Sequence, residues 1–481
     1  MTKIFDLKSG KVFHFFEEIS KIPRPSFQEK AISEYLVNFA KERNLEVISD
    51  ETYNVIIKKA GTSGYEQSKV VAIQGHTDMV CEKNKDVEHD FLKDPIKLIY
   101  DGDFIKADKT TLGSDNGIAV AMALALLDSN NIPHPPIEAI FTACEESGME
   151  GVSALDTKNL QASVFLNIDS DEEGIFTVGC AGGVKCNIQI PVNFECSDKS
   201  SYCIGVYGLM GGHSGIDVNK GRANSNRLLA RALNILSKNI EFSLNKINGG
   251  SKDNAIPREA EAIISIDDKD LSLLEDKIKE IESIYKLEYK NTDPNLSLRL
   301  EKIENCKKSI SKEHYNKIIG ALMVLPNGVQ TMSTDIEGLV ESSINLGVVK
   351  TNDNNIEIIA SIRSAVSSKK DLIMQQLELF INNVGGIIEF KGSYPAWEYN
   401  EKSLVREQCV NIYKQMYGEE PKLQIIHAGL ECGLFSEKMP NLDLISFGPN
   451  LYDIHTPDEK ASISSIDRTW EFLLNLLKEL K

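Results

Sequence analysis

Four short apolar runs in this chain each give way to a turn that carries a carboxylate or a histidine. The runs occupy residues 70–73, 137–141, 164–166 and 444–447. The turns are Gly75-His76-Thr77-Asp78, Cys144-Glu145-Glu146-Ser147-Gly148, Asn167-Ile168-Asp169-Ser170 and Asp453-Ile454-His455-Thr456-Pro457. Each run is short, rich in β-branched or aromatic residues and bounded by turn formers, which is the pattern of a buried strand in an α/β sheet. Ligands of such sheets bind beyond the carboxyl ends of the strands. All four turns are expected there. A fifth turn, Gly113-Ser114-Asp115-Asn116-Gly117, instead opens an Ala-rich buried helix read over residues 118–127.

A length of 481 residues exceeds what one core supports and predicts two or three domains. Residues 10–185 alternate helical and strand-like segments, the signature of an open mixed sheet flanked by helices. The same texture returns near residue 400, with a helix at 403–417 and a closing helix through 477. Between them the texture changes. Residues 261–267 and 357–363 each read as a strand followed by a charged helix, a faint internal repeat. The expected division is therefore a discontinuous catalytic domain, 1–186 with 396–481, and an inserted α+β domain, 187–395, built from two related halves.

The bulk properties exclude several classes. A formal net charge of −18 argues against a nucleic-acid partner, since nothing would neutralise phosphates. The hydrophobic fraction of 42% contains no run long enough to span a bilayer. The first residues lack the basic start and apolar segment of a signal peptide. Nine cysteines, an odd number with no CxxC pair, read as reduced thiols of a cytoplasmic protein. Cys144, beside Glu145, is the thiol expected to be open to oxidation or metal inhibition.

The polar residues of the five turns suit metal-assisted hydrolysis. Imidazole nitrogen and carboxylate oxygen are ligands for Zn2+, which keeps a position open for water in catalytic sites. One zinc is expected on His76 and Asp169, a second on Glu146 and His455, with Asp115 bridging. With a hydroxide between them each metal has four ligands, and three carboxylates plus hydroxide balance two divalent ions, as a buried cluster requires. Asp78, two positions after His76, is placed to hold the imidazole N–H. Glu145 is the candidate general base. Histidines 14, 89, 134 and 314 have no ligand partner nearby and read as structural or surface residues.

His76-Thr77-Asp78, the 113–117 turn, Glu145-Glu146, Asp169 and His455 together resemble the M20 metallopeptidases, in order and approximate spacing, across essentially the whole chain. The resemblance implies a two-zinc aminopeptidase-like catalytic domain with an inserted lid domain, and a cis peptide after Asp115. It implies two Zn2+ per subunit, with Co2+ or Mn2+ as substitutes, and a homodimer formed through the lid. Ile426-His427-Ala428-Gly429-Leu430-Glu431-Cys432-Gly433 is similar to the signature of the bacterial aminoacyl-histidine dipeptidase branch, where many relatives carry a Gly-Thr-Asp turn. His427 and Glu431 are thus candidate substrate-binding residues. Gly211-Gly212-His213-Ser214-Gly215 resembles the lid segment whose histidine reaches the scissile carbonyl, and Asp253-Asn254-Ala255-Ile256-Pro257 the asparagine-bearing substrate loop. Arg363 projects from the strand face opposite Ile356, Ile358, Ala360 and Ile362, where it could clamp a peptide carboxylate.

The expected function is a cytoplasmic metallodipeptidase acting on Xaa-His dipeptides. Tripeptide trimming or N-acyl amino acid deacylation at the same site is the nearer alternative. A non-catalytic metal-binding protein is the alternative from another class, and mere metal binding would need neither Glu145 nor Asp78.

Overall fold

Residues 4–481 are described in this computed structural model, and the chain divides into two compact units. The first takes the chain through Cys180, then Tyr399–Ile426 and Leu430–Lys481, and the second takes Ala181–Glu398 with His427–Gly429. The break expected at 186/187 lies inside the strand Gly182–Pro191. That strand pairs along its length with Asn355–Ser364 and with Ile387–Tyr394, so it belongs wholly to the second unit. His427 also leaves the C-terminal segment to which the sequence reading gave it, because residues 427–429 group with the second unit.

The first unit is built on an eight-stranded sheet. Its order is Glu46–Ser49, Val55–Lys59, Ile137–Thr142, Val71–His76, Val164–Asn167, Asp443–Ser446, Ile175–Cys180 and Lys422–Ile426. The four runs singled out in the sequence are the four contiguous central strands, and all three pairings among them are parallel. Every residue of Ile137–Thr142, Val71–His76 and Val164–Asn167 is buried. Strands covered on both faces carry continuous apolar runs rather than alternation.

Helices surround this sheet. Gly10–Ser20 and Lys30–Glu42 lie on either side of the Pro23-Arg24-Pro25-Ser26 turn. Ser114–Leu127 is buried at every position except Asp115, as an all-apolar helix must be. Leu404–Tyr417 begins at Ser403, whose hydroxyl accepts from Arg406 N–H, and Ile463–Glu479 begins at Ser462, which caps Ser465 N–H in the same way.

One expectation about strand ends needs correction. The His455 turn does not follow the central strand directly. A two-residue strand, Leu451–Tyr452, intervenes and pairs with Lys460–Ser462, so His455 sits at the tip of a separate hairpin. The left-handed backbone at Asp453 and His455 makes that tip.

The second unit holds a nine-stranded antiparallel sheet. Within it the repeat resolves into two β-α-β-β-α-β halves. One consists of Ser200–Tyr207, helix Ser225–Leu236, Phe242–Gly249, Ala260–Ile266, helix Leu271–Glu288 and Ser297–Lys302. The other consists of Gly182–Pro191, helix Lys312–Val324, Val340–Thr351, Asn355–Ser364, helix Ser367–Asn383 and Ile387–Tyr394. Numbering each half's strands along the chain, both have the order 4-1-3-2, the split βαβ pattern. Their second strands meet at Asn248–Lys350 and Gly249–Val349, which makes one continuous sheet.

Gly75, next to the end of its strand, lets the central sheet approach the buried helix. A Cβ there would press on Asn116 Oδ1 and lie 2.6 Å from Ala119 Cβ. Gly75→Ala is therefore expected to lower stability by about 1–3 kcal/mol through overpacking. Denaturant unfolding measures this, and an unchanged midpoint would contradict the close approach.

Candidate metal centre

Each expected ligand reaches the carboxyl edge of the central sheet from its own element. His76 is the last residue of its strand, Glu145 and Glu146 open the short helix Glu145–Gly148, and Asp169 lies two residues beyond Val164–Asn167. Asp115 sits at the head of the buried helix with extended backbone (φ −84°, ψ 109°), and the Asp115–Asn116 peptide is cis.

The side chains converge as two groups that share Asp115. His76 Nε2 lies 3.1 Å from Asp115 Oδ1 and 3.6 Å from Asp169 Oδ1. His455 Nε2 lies 3.2 Å from Asp115 Oδ2 and 3.0 Å from Glu146 Oε1. Donors about 2.0–2.2 Å from one tetrahedral ion stand roughly 3.3 Å apart, so the donor spacing fits one cation in each group. His76 thus lies nearest Asp169 and His455 nearest Glu146, while ligand atoms of His76, Asp115 and Glu146 also come within 4.8 Å of one another.

The charges respond to this crowding. Burial opposes protonation of His76, yet hydrogen bonds to Asp115 and Asp78 outweigh it and raise its pKa well above the ordinary imidazole value. His455, hydrogen bonded to Asp115 and Glu146, is raised to about 10. Desolvation opposes ionisation of the part-buried Asp115, but hydrogen bonds to His455 and His76 outweigh it and pull it below the usual carboxylate range. Asp169 and Glu145 go the other way. Burial and neighbouring carboxylates push Asp169 well up, and Glu145 up to about 8, against the opposing pull of His76. A divalent cation is the ligand that lets such a set deprotonate together.

Asp78 holds more than the imidazole. Its backbone carbonyl accepts from His76 Nδ1 at 3.1 Å, and its Oδ1 lies 3.4 Å from the same nitrogen, which leaves Nε2 free to ligate. Its carboxylate also accepts the backbone N–H groups of Glu145 and Glu146 at 3.0 and 3.2 Å, and the Ser26 hydroxyl at 2.8 Å. One buried carboxylate thus fixes the first histidine and both glutamates. Asn116 ties two further strand ends, accepting from His76 N–H at 3.3 Å and donating to Ile168 O at 2.7 Å.

Glu431, expected on the substrate, is completely buried in this unit. Its carboxylate accepts from Gln74 Nε2 and Thr142 Oγ1, both at 2.6 Å, and Gln74 accepts from Asn167 at 2.6 Å. These are inward side chains of three adjacent central strands, so Glu431 belongs to a polar layer inside the sheet rather than to an open pocket. Burial raises it to about 7. Cys144 is also corrected. Its thiol is buried against Glu29 Oε1 at 3.1 Å and pushed up to about 12, which suppresses the thiolate that oxidation and metals attack.

The second unit carries the other candidates. His213 Nδ1 accepts from Gly215 and Ile216 N–H at 3.3 and 3.2 Å, so its Nε2 bears the proton. Asn254 is exposed at a loop that Asn345 Nδ2 holds through Asp253 O and Ala255 O, each at 2.8 Å. His427 Nε2 pairs with Ser343 Oγ at 2.7 Å, and burial with Arg363 nearby lowers this imidazole to about 4. Arg363 Nη1 donates to Tyr394 Oη at 3.3 Å, while its buried Nε has no hydrogen-bond partner among the described residues.

Sequence reasoning missed Arg24 and Glu459. Neither was singled out, yet both are buried and bond the turns of the centre. Their partners are backbone groups distant along the chain, and no spacing rule signals that.

Comparison with known proteins places this geometry in a family. Residues 204–293 match the peptidase dimerisation domain of M20 enzymes. The chain is 39% identical over 482 residues to the cytosol non-specific dipeptidase of Escherichia coli (strain K12), covering 100% of this chain and 99% of that protein. The crystal structure of aminoacylhistidine dipeptidase from Vibrio alginolyticus superposes with a TM-score of 0.93 at 37% identity, covering 99% of this chain and 98% of that one. A tripeptidase from Staphylococcus aureus, at 16% identity and a TM-score of 0.56 over 98% of this chain and 99% of its own, shares the fold. The chain belongs to the M20 metallopeptidases. It is a peptide-bond hydrolase of their dipeptidase branch, with a mixed α/β catalytic fold and an inserted lid domain.

The raised Glu145 carboxyl has a thermodynamic consequence for the metal-free protein. A carboxyl lifted from about 4.3 in the unfolded chain to about 8 when folded contributes stability that is fully present below pH 4.3. That contribution is lost as pH rises through 8. Glu145→Gln removes it, so the melting temperature of the metal-free variant should gain on the parent progressively between pH 5 and 8. A difference that stays constant across that range would contradict the desolvation of Glu145.

Proposed function

We propose that this protein is a cytoplasmic two-zinc dipeptidase, with Co2+ or Mn2+ able to substitute, that cleaves Xaa-His dipeptides best. The observation that carries the reading is the shared Asp115 carboxylate, one oxygen toward His76 and the other toward His455, with Glu145 beside them. In this reading His76 and Asp169 would hold one metal and Glu146 and His455 the other, with Asp115 available to either. When bound, the metal pair supplies Lewis acidity that polarises the scissile carbonyl and acidifies water.

The chain's own residues do the rest. Glu145 takes a proton from water as its oxygen adds to the carbonyl carbon. It returns that proton to the amine nitrogen as the C–N bond breaks. Asp78 keeps the His76 imidazole in the tautomer that ligates through Nε2. In the lid, His213 Nε2–H donates to the carbonyl oxygen, Asn254 contacts the substrate, and Arg363 takes the C-terminal carboxylate. The buried, unpartnered Arg363 Nε supports an anion-binding role for this arginine. Fixing the amine at the acidic centre and the carboxylate at Arg363 would restrict cleavage to dipeptides. The match of residues 204–293 to a dimerisation domain supports a homodimer through the lid. No helix among the described residues is long and apolar enough to cross a membrane, and the Escherichia coli relative is named for the cytosol.

The relatives' names differ on specificity, one non-specific and one aminoacylhistidine, so the test is a substrate panel. Metal-reconstituted protein should hydrolyse Ala-His best and Ala-Ala more slowly, both with chelator sensitivity, and leave N-acetyl-Ala and Ala-Ala-His intact. Glu145→Gln should reduce turnover by about 10²–10⁴-fold with metal content unchanged, and Arg363→Ala should raise KM for dipeptides. Cleavage of the acylated or longer compound would place the enzyme in another branch. An active Glu145→Gln would remove the assigned base.

A further inference from the structure

The turns bearing His76 and Asp115 and the hairpin bearing His455 come from separate stretches of the chain, and two buried ions of opposite sign connect them. Arg24, 2% exposed, donates from Nη1 to Thr77 O at 2.9 Å and Asp78 O at 3.3 Å, and from Nη2 to Gly113 O at 2.6 Å. Glu459, 3% exposed, accepts through Oε2 from Leu112 and Gly113 N–H at 2.6 and 3.0 Å. Its Oε1 accepts from Ser114 N–H and Oγ at 2.8 and 2.6 Å. Gly113 is therefore gripped at both ends, its N–H by the carboxylate and its carbonyl by the guanidinium.

The glycines of the 113–117 turn record the fit. A Cβ at Gly113 would lie 2.5 Å from Arg24 Nη2, and one at Gly117 2.7 Å from the same atom. A buried arginine on backbone carbonyls can be mere core structure, and here the identity of its partners decides otherwise. Thr77 and Asp78 directly follow His76, Gly113 and Ser114 directly precede Asp115, and Glu459 lies four residues after His455.

We propose that Arg24 and Glu459 are positioning residues of the metal centre, setting the separation of the His76, Asp115 and His455 turns by holding their backbones. The inference rests on the metal-centre reading above. Neither side chain touches a reacting atom. The guanidinium serves because it donates along two diverging directions at once, which an ammonium point charge cannot reproduce. The carboxylate serves because both its oxygens accept, whereas an amide offers only one acceptor.

Arg24→Lys, Glu459→Gln and Gly117→Ala test this, the last by displacing the guanidinium while both charges remain. Zn2+ affinity is measured by chelator competition on metal-free protein, and kcat and KM on Ala-His at saturating metal. Folded variants should bind zinc about 10–100-fold more weakly and lose kcat, with KM within about twofold of the parent. A purely structural role would lower the melting temperature and leave these quantities unmoved, and variants that match the parent in both would overturn the inference. Should Arg24→Lys not fold, Glu459→Gln and Gly117→Ala carry the same comparison. Parent protein that binds no metal would overturn the centre itself, whereas a parent with two metals and variants equal to it would overturn the positioning role alone.

Discussion

Asp115 stands between two histidines with each carboxylate oxygen committed to a different one, at 3.1 and 3.2 Å. This contact sets the conditions for everything around it. Four carboxylates and two imidazoles occupy a space where like charges repel and little water screens them. The group sorts its protons accordingly, with Asp115 pulled down, both histidines raised, and Asp169 and Glu145 pushed up. Such a set stays together only because the surrounding backbone holds it, and it is chemically suited to cations that relieve the repulsion.

The restraint comes from several levels of structure. Four parallel strands bring three of the turns to one sheet edge. Asp78 joins His76 to the glutamate helix, Asn116 joins His76 to the Asp169 turn, and Gln74, Thr142, Asn167 and Glu431 tie the strands just beneath. These are buried polar groups that hydrogen bond to one another or to backbone, a form of interaction that specifies one arrangement where apolar packing would tolerate several.

The legibility of the sequence follows from which of these interactions leave a linear trace. Central parallel strands are buried on both faces, so 70–73, 137–141, 164–166 and 444–447 stand out as apolar runs, and His76, Glu146 and Asp169 follow at the ends of the first three. The repeat at 261–267 and 357–363 was visible because two strand–helix units of the same kind recur, though the 4-1-3-2 order was not. Other features depend on contacts with no such trace. The hairpin carrying His455 contains a strand of only two residues. Glu431 looked available for substrate because its partners are inward side chains of distant strands. His427 falls with the lid unit because its partner, Ser343, is there. Arg24 and Glu459 bond backbone atoms, which no residue-type pattern records.

The central claim is that Asp115 is shared by two metal ions, one on the His76 side and one on the His455 side. Anomalous diffraction at the zinc absorption edge from crystals of zinc-reconstituted protein tests it most directly. The account predicts two peaks flanking the Asp115 carboxylate, one beside His76 and Asp169 and one beside Glu146 and His455. A single peak, or peaks that leave Asp115 out of the coordination, would contradict it.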